Sequence, residues 1–124
     1  MKVTAEKNEK VAEMIFGSIY PHYLKRVEKN GRTKQEIDQV LGWFTGLDEK
    51  ELQTLIDEKV TFRTFFQKAT IHPNAGLIKG VVCGYRIEEI EDEFEVYKQC
   101  RRMEKLIDEL ARGRKMEKIL REVK

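Results

Sequence analysis

Cysteine, proline and histidine are scarce in this chain, with two of each among 124 residues, and there is a single tryptophan. Cys83 and Cys100 are too few for the several bridges that small secreted domains carry. Free thiols in a reducing cytoplasm are therefore expected. His22 and His72 stand far apart, and neither has a further ligand at a spacing such as H-x-x-x-H. No metal site and no cofactor is expected. Long hydrophobic runs are missing as well. The longest, Gly80–Tyr85, is far short of the ~20 residues a membrane span needs, and Met1–Lys10 is polar, with no signal-peptide h-region. Charge of one sign is lacking too: 24 Lys and Arg face 22 Asp and Glu, a net of +2. That balance disfavours a wholly basic nucleic-acid binder. No nucleophile elbow, phosphate loop or dinucleotide fingerprint occurs, so the reading leans away from an enzyme.

What is present is charge and helical periodicity. Charged residues make up 37% and apolar residues 40%, a helix-like balance, and the length suits one domain with its own core. The pattern predicts an all-α fold, a single compact domain of six or seven helices over 9–124 behind a flexible tail at 1–8. Val11, Ile15, Ile19, Tyr23 and Val27 recur every four residues, with Pro21 expected to kink or break the helix near Ser18–Tyr20. Thr33 with Glu36, then Asp48 with Glu51, are capping boxes opening two further helices. Thr61 can cap a third, carrying Phe62, Phe65 and Phe66.

The segment His72–Arg86 is ambiguous. Leu77, Ile78, Val81, Val82 and Tyr85 fit one helical face, with Asn74 as cap, and a helix is the favoured reading. Gly76, Gly80 and Gly84 would then form a stripe where a second backbone could approach closely. The rival is a short strand near 79–87, an α+β alternative, with Lys59–Arg63 as a weak pairing partner. A long helix from Glu88 or Glu91 to Ala111 follows, then a short one beyond Gly113.

Charge is unevenly distributed along that last part. Residues 86–97 hold one basic and six acidic groups, a net of −5, whereas 98–124 hold ten basic and five acidic groups, a net of +5. Helix-dipole complementarity explains most of this. The alternatives are antiparallel pairing with another chain, or a basic strip of Lys98, Arg101, Arg102, Lys105, Arg112, Arg114, Lys115 and Lys118. The interleaved acids weaken a nucleic-acid role for that strip.

Tyr20, His22, Tyr23 and Trp43 combine apolar bodies with polar tips, and Asn74, Cys83 and Arg86 could complete a small-ligand pocket with them. Core packing is the default for the aromatic group. Cys83, between Val82 and Gly84, reads as a buried, inert thiol unless Arg86 turns towards it.

In order along the chain stand Tyr20-Pro21-His22-Tyr23, Gly31-Arg32-Thr33-Lys34, Trp43-Phe44-Thr45-Gly46, the run Gly80–Asp92, Leu106–Leu110 and Met116–Leu120. This sequence of motifs resembles the small bacterial family catalogued as domain of unknown function 2200, over about residues 12–121. Asp92-Glu93 stands where that pattern has Asp-Pro, which would let the following helix begin earlier. The resemblance implies a stand-alone cytoplasmic bacterial protein of one domain. It brings no activity, cofactor or catalytic residue. The residues themselves favour a helical module that binds itself or another protein. A small-ligand protein or enzyme is the second reading, and a nucleic-acid-binding regulator the third.

Overall fold

Short polar side chains fix where the helices begin. In the computed structural model, which describes residues 2–121, the Thr33/Glu36 and Asp48/Glu51 pairs both form reciprocal capping boxes. They open α3 (Lys34–Thr45) and α4 (Glu49–Asp57), and Thr61 caps α5 (Phe62–Lys68). Each such cap stabilises its helix by about 1 kcal/mol. Gly46 ends α3 at φ 72°, and a Cβ there would lie 3.2 Å from the Thr70 carbonyl oxygen.

The expected tail over 1–8 is corrected for the described residues. Thr4 accepts from the Lys7 amide and starts α1 (Ala5–Ala12), while Val3 is buried against Tyr85 and Tyr97. The break expected at Ser18–Tyr20 instead falls at Glu13–Ile15, ahead of α2 (Phe16–Lys29). Ile15 forms an isolated antiparallel bridge with Thr61, and that pairing interrupts the helix. Pro21 sits inside α2, where it forfeits only a bond to the Gly17 carbonyl in the first turn.

The favoured helix over His72–Arg86 is not formed. Pro73–Leu77 makes a 3-10 turn capped by His72 Nδ1, and β1 (Val81–Val82) pairs antiparallel with β2 (Tyr85–Arg86). The strand alternative is therefore correct in kind, although the partner is β2 rather than Lys59–Arg63. Cys83 and Gly84, at φ 51° and 81°, form the two-residue turn, the type I′ geometry whose twist matches paired strands. Three glycines at about 1 kcal/mol each already weigh against a helix here. The glycine stripe disappears with the helix. Gly80 takes φ 105° before β1, and a Cβ on Gly76 would meet nothing within 4 Å.

The long helix α6 (Glu95–Ala111) also starts later than expected, after 3-10 turns at Ile87–Glu89 and Asp92–Phe94. Asp92-Glu93 therefore does not bring the start forward. Most of the acidic block precedes the helix, so the −5 and +5 blocks do not share one axis. Glu88 instead accepts from the Gly80 amide, and Asp92 pairs with Lys98 at 2.9 Å. Gly113 and α7 (Met116–Ile119) follow as the periodicity suggests.

Seven helices and one small hairpin among the described residues make a mainly helical domain. Its centre is α6, which meets α1, α2, α3, α5, α7 and β1. Met103, Leu106, Ile107 and Leu110 on α6 are fully buried, each contributing about 1.5–3 kcal/mol. Phe16 stacks on Phe65 at 4.0 Å beneath α5.

Candidate functional site

A cavity of about 240 Å³ opens where α1, α2, α5 and α6 converge. Its apolar wall comes from Val11, Met14, Ile19 and Phe62, and its polar wall from Tyr23, Tyr97, Cys100, Arg101 and Glu104. Helical spacing assembles it. Ile19 and Tyr23 are one turn apart on α2, and on α6 Tyr97, Arg101 and Glu104 follow at steps of four and three, with Cys100 next to Arg101.

Arg101 organises the polar side. One guanidinium nitrogen donates to Glu104 Oε2 and the other to the Tyr97 hydroxyl at 2.7 Å. The guanidinium carbon lies 5.1 Å from the Tyr85 ring centre and 4.8 Å from that of Tyr97, within cation–π range. Tyr85 and Tyr97 meet edge to face at 5.4 Å, and Lys7 Nζ donates to the Tyr85 hydroxyl at 3.1 Å. The Asn8 side chain accepts from the Tyr97 amide at 2.9 Å, tying α1 to the start of α6. Cys83, outside the lining, brings its thiol within 3.5 Å of Glu104 Oε2.

The electrostatics keep these groups protonated. Burial pushes Tyr23 well above the usual phenol range, helped by nearby Cys100 and Glu104. Burial likewise raises Cys100. Cys83 is raised by burial and then by the Glu104 carboxylate, with Arg101 and Arg26 opposing. A thiol held as S–H is a poor nucleophile, so neither cysteine is activated by its surroundings.

Of the seven residues expected to form a pocket, only Tyr23 lines this cavity, and Cys83 reaches it only through its contact with Glu104. Tyr20 is buried elsewhere on α2, its hydroxyl donating to Asp38 at 2.6 Å, and His22 is exposed. Trp43 stacks on His72 at 4.4 Å, and its buried indole N–H has no partner in the protein. The Asn74 side chain donates to the Arg121 carbonyl at 2.8 Å. Arg86 lines a different groove with Lys2, Val3, Glu89, Ile90 and Phe94. Cys83 is exposed rather than buried, because it stands in the hairpin turn between β1 and β2. The expected seven-residue pocket is therefore dispersed over the surface and core.

Tyr97 and Glu104 are not expected at a site from the sequence, and Cys100 and Arg101 are expected only as a free thiol and as part of the basic strip. Their signal was the three-and-four spacing from Tyr97 through Arg101 to Glu104, hidden among the surrounding basic residues. Half of that basic strip is ion-paired among the described residues: Lys98 with Asp92, Arg101 with Glu104, Arg112 with Asp108 at 2.9 Å and Arg114 with Glu109 at 3.1 Å. Arg121, outside the strip, joins Glu109 at 2.7 Å. Among the described residues no group of three or more His, Cys, Asp or Glu could hold a metal ion. Nor is any helix there long and apolar enough to cross a membrane.

Residues 10–121 match the family described as an uncharacterized protein conserved in bacteria, DUF2200. A solved structure described as the crystal structure of uncharacterized protein SP1917 aligns at a TM-score of 0.82 and 34% identity. The alignment covers 90% of this chain and 91% of that one. A comparison with curated proteins gives no match. Neither description assigns an activity.

Proposed function

For this chain, which belongs to the uncharacterized bacterial family DUF2200, we propose a role as a small-molecule-binding domain. Its site is the cavity between α1, α2, α5 and α6. The observation that carries this reading is Tyr23, only 7% exposed and lining the cavity, whose hydroxyl makes no hydrogen bond among the described residues. A phenol hydroxyl left without a protein partner at a cavity wall is free to take a ligand or a bound water. Apolar surface beside a few convergent polar groups is the usual make-up of a ligand site. At about 240 Å³ the cavity suits a ligand of roughly ten non-hydrogen atoms. The protonated thiols make binding a better reading than nucleophilic catalysis. A reducing compartment such as the cytoplasm suits two free thiols.

Self-association draws less support. The glycine stripe has no helix to carry it, and the acidic block is spent on the turns ahead of α6.

The test is a fragment screen by amide chemical-shift mapping on the full chain, repeated with Ile19→Phe, which fills the cavity. Bound fragments should shift Tyr23, Cys100 and Glu104 and lose affinity in Ile19→Phe. Failure of every fragment to shift those amides at millimolar concentration overturns the reading. Concentration-dependent shifts of the free protein would restore self-association.

A further inference from the structure

Resting on the small-ligand reading, we infer that the cavity takes a zwitterion, namely a free α-amino acid with an uncharged apolar side chain. The argument lies in which polar atoms the protein leaves unspent. Arg101 uses its two terminal nitrogens on Glu104 and Tyr97, and its Nε–H makes no hydrogen bond among the described residues. Glu104 receives Arg101 and Cys83 on Oε2, leaving Oε1 without a hydrogen bond there. The Tyr23 hydroxyl, at the cavity wall and without a hydrogen bond among the described residues, is the third unspent group.

One cationic donor, one anionic acceptor and one phenol thus border a single apolar-walled space. A simple anion seated on Arg101 would face Glu104, and a simple cation seated on Glu104 would face Arg101. An ammonium and a carboxylate on one carbon meet both with the right sign, and such charge-assisted contacts are the strong ones. The remaining volume, walled by Val11, Ile19 and Phe62, suits an aliphatic or aromatic side chain.

The experiment is calorimetric titration of the full chain with L-leucine, L-methionine and L-phenylalanine, followed by blocked forms of whichever binds tightest. Those forms are the N-acetyl acid, the amide and the N-acetyl amide. The free amino acid should bind, and each blocked form should bind at least about tenfold more weakly. Glu104→Gln should weaken the free amino acid by a similar factor. Tyr23→Phe, which removes a single oxygen, should weaken it severalfold and keeps the test valid if Glu104→Gln does not fold. A blocked form that binds as tightly as its parent overturns the zwitterion class. So does silence from all three amino acids while fragments still shift the Tyr23 and Glu104 amides. Silence from amino acids and fragments alike removes the small-ligand reading itself.

Discussion

Ile15 and Thr61 face each other across an isolated antiparallel bridge that clamps the starts of two helices together. The Phe16 amide donates to the Val60 carbonyl at 3.0 Å and the Phe62 amide to the Met14 carbonyl at 2.8 Å. Both amides are the first of their helices, positions that ordinarily lack a backbone partner. Amide exchange should therefore be slow at Phe16 and Phe62, by at least about tenfold relative to Lys34 and Glu49, which open α3 and α4. Equal rates at all four positions would mean that the bridge does not persist in solution. The expected contrast follows from the protection that stable hydrogen bonding confers.

That bridge also shows why part of the fold was legible and part was not. Capping boxes are local, so Thr33/Glu36 and Asp48/Glu51 announce their helices from a few residues. The helix break at Glu13–Ile15 depends on a partner far along the chain, and Pro21 drew attention to the wrong place. Between His72 and Arg86 the apolar spacing fits a helix and a hairpin alike, and positive φ at Cys83 and Gly84 decides the matter. The site is legible to the extent of Tyr23. Arg101 and Glu104 look like any exposed ion pair on a charged helix until packing places them beside an aromatic wall.

Cys83 occupies a left-handed turn position at φ 51°, where asparagine or glycine is favoured and other side chains cost about 1–2 kcal/mol. Cys83→Asn should raise the melting temperature by a few degrees, while Gly84→Ala, at φ 81°, should lower it. Calorimetric scans of the two variants check this. A drop with Cys83→Asn would show that the contact of the thiol with Glu104 outweighs the backbone strain.

Glu109 is 5% exposed and its Oε2 gathers Arg114 and Arg121, fastening the segment after α6 to the body of the domain. Arg32 adds a hydrogen bond to the Arg114 carbonyl at 3.0 Å. Removing one member of a buried ion cluster leaves the others uncompensated. Glu109→Gln should cost about 3 kcal/mol in urea unfolding and speed exchange across Met116–Leu120. A loss below about 0.5 kcal/mol would show that the cluster behaves as a solvated surface pair.

Alkaline titration should separate Tyr85 from the other three tyrosines. The neighbouring Tyr97 hydroxyl and then the Lys7 ammonium lower the pKa of Tyr85. Burial raises Tyr20, with the Asp38 carboxylate acting in the same direction, and burial raises Tyr23 and Tyr97 as well. Cys100 is raised by the same cause. A group whose folded pKa is raised keeps a proton that the unfolded chain gives up near its ordinary value, about 8.5 for cysteine and 10 for tyrosine. Its contribution is complete below that value and is lost as pH climbs beyond it. Tyr85 has the opposite sign, gaining stability as pH rises from its lowered pKa to the unfolded one, and it stands alone against five, since Cys83 is raised as well. Urea stability should therefore decline from about pH 9 upward. Tyrosinate absorbance should show one early reversible ionisation, abolished by Tyr85→Phe, and three that appear only with unfolding. Early ionisation of a second tyrosine that persists in Tyr20→Phe, with the fold intact by circular dichroism, would show that water ionises the cavity phenols freely, and the unpartnered Tyr23 hydroxyl would then lose its weight as a mark of a ligand site.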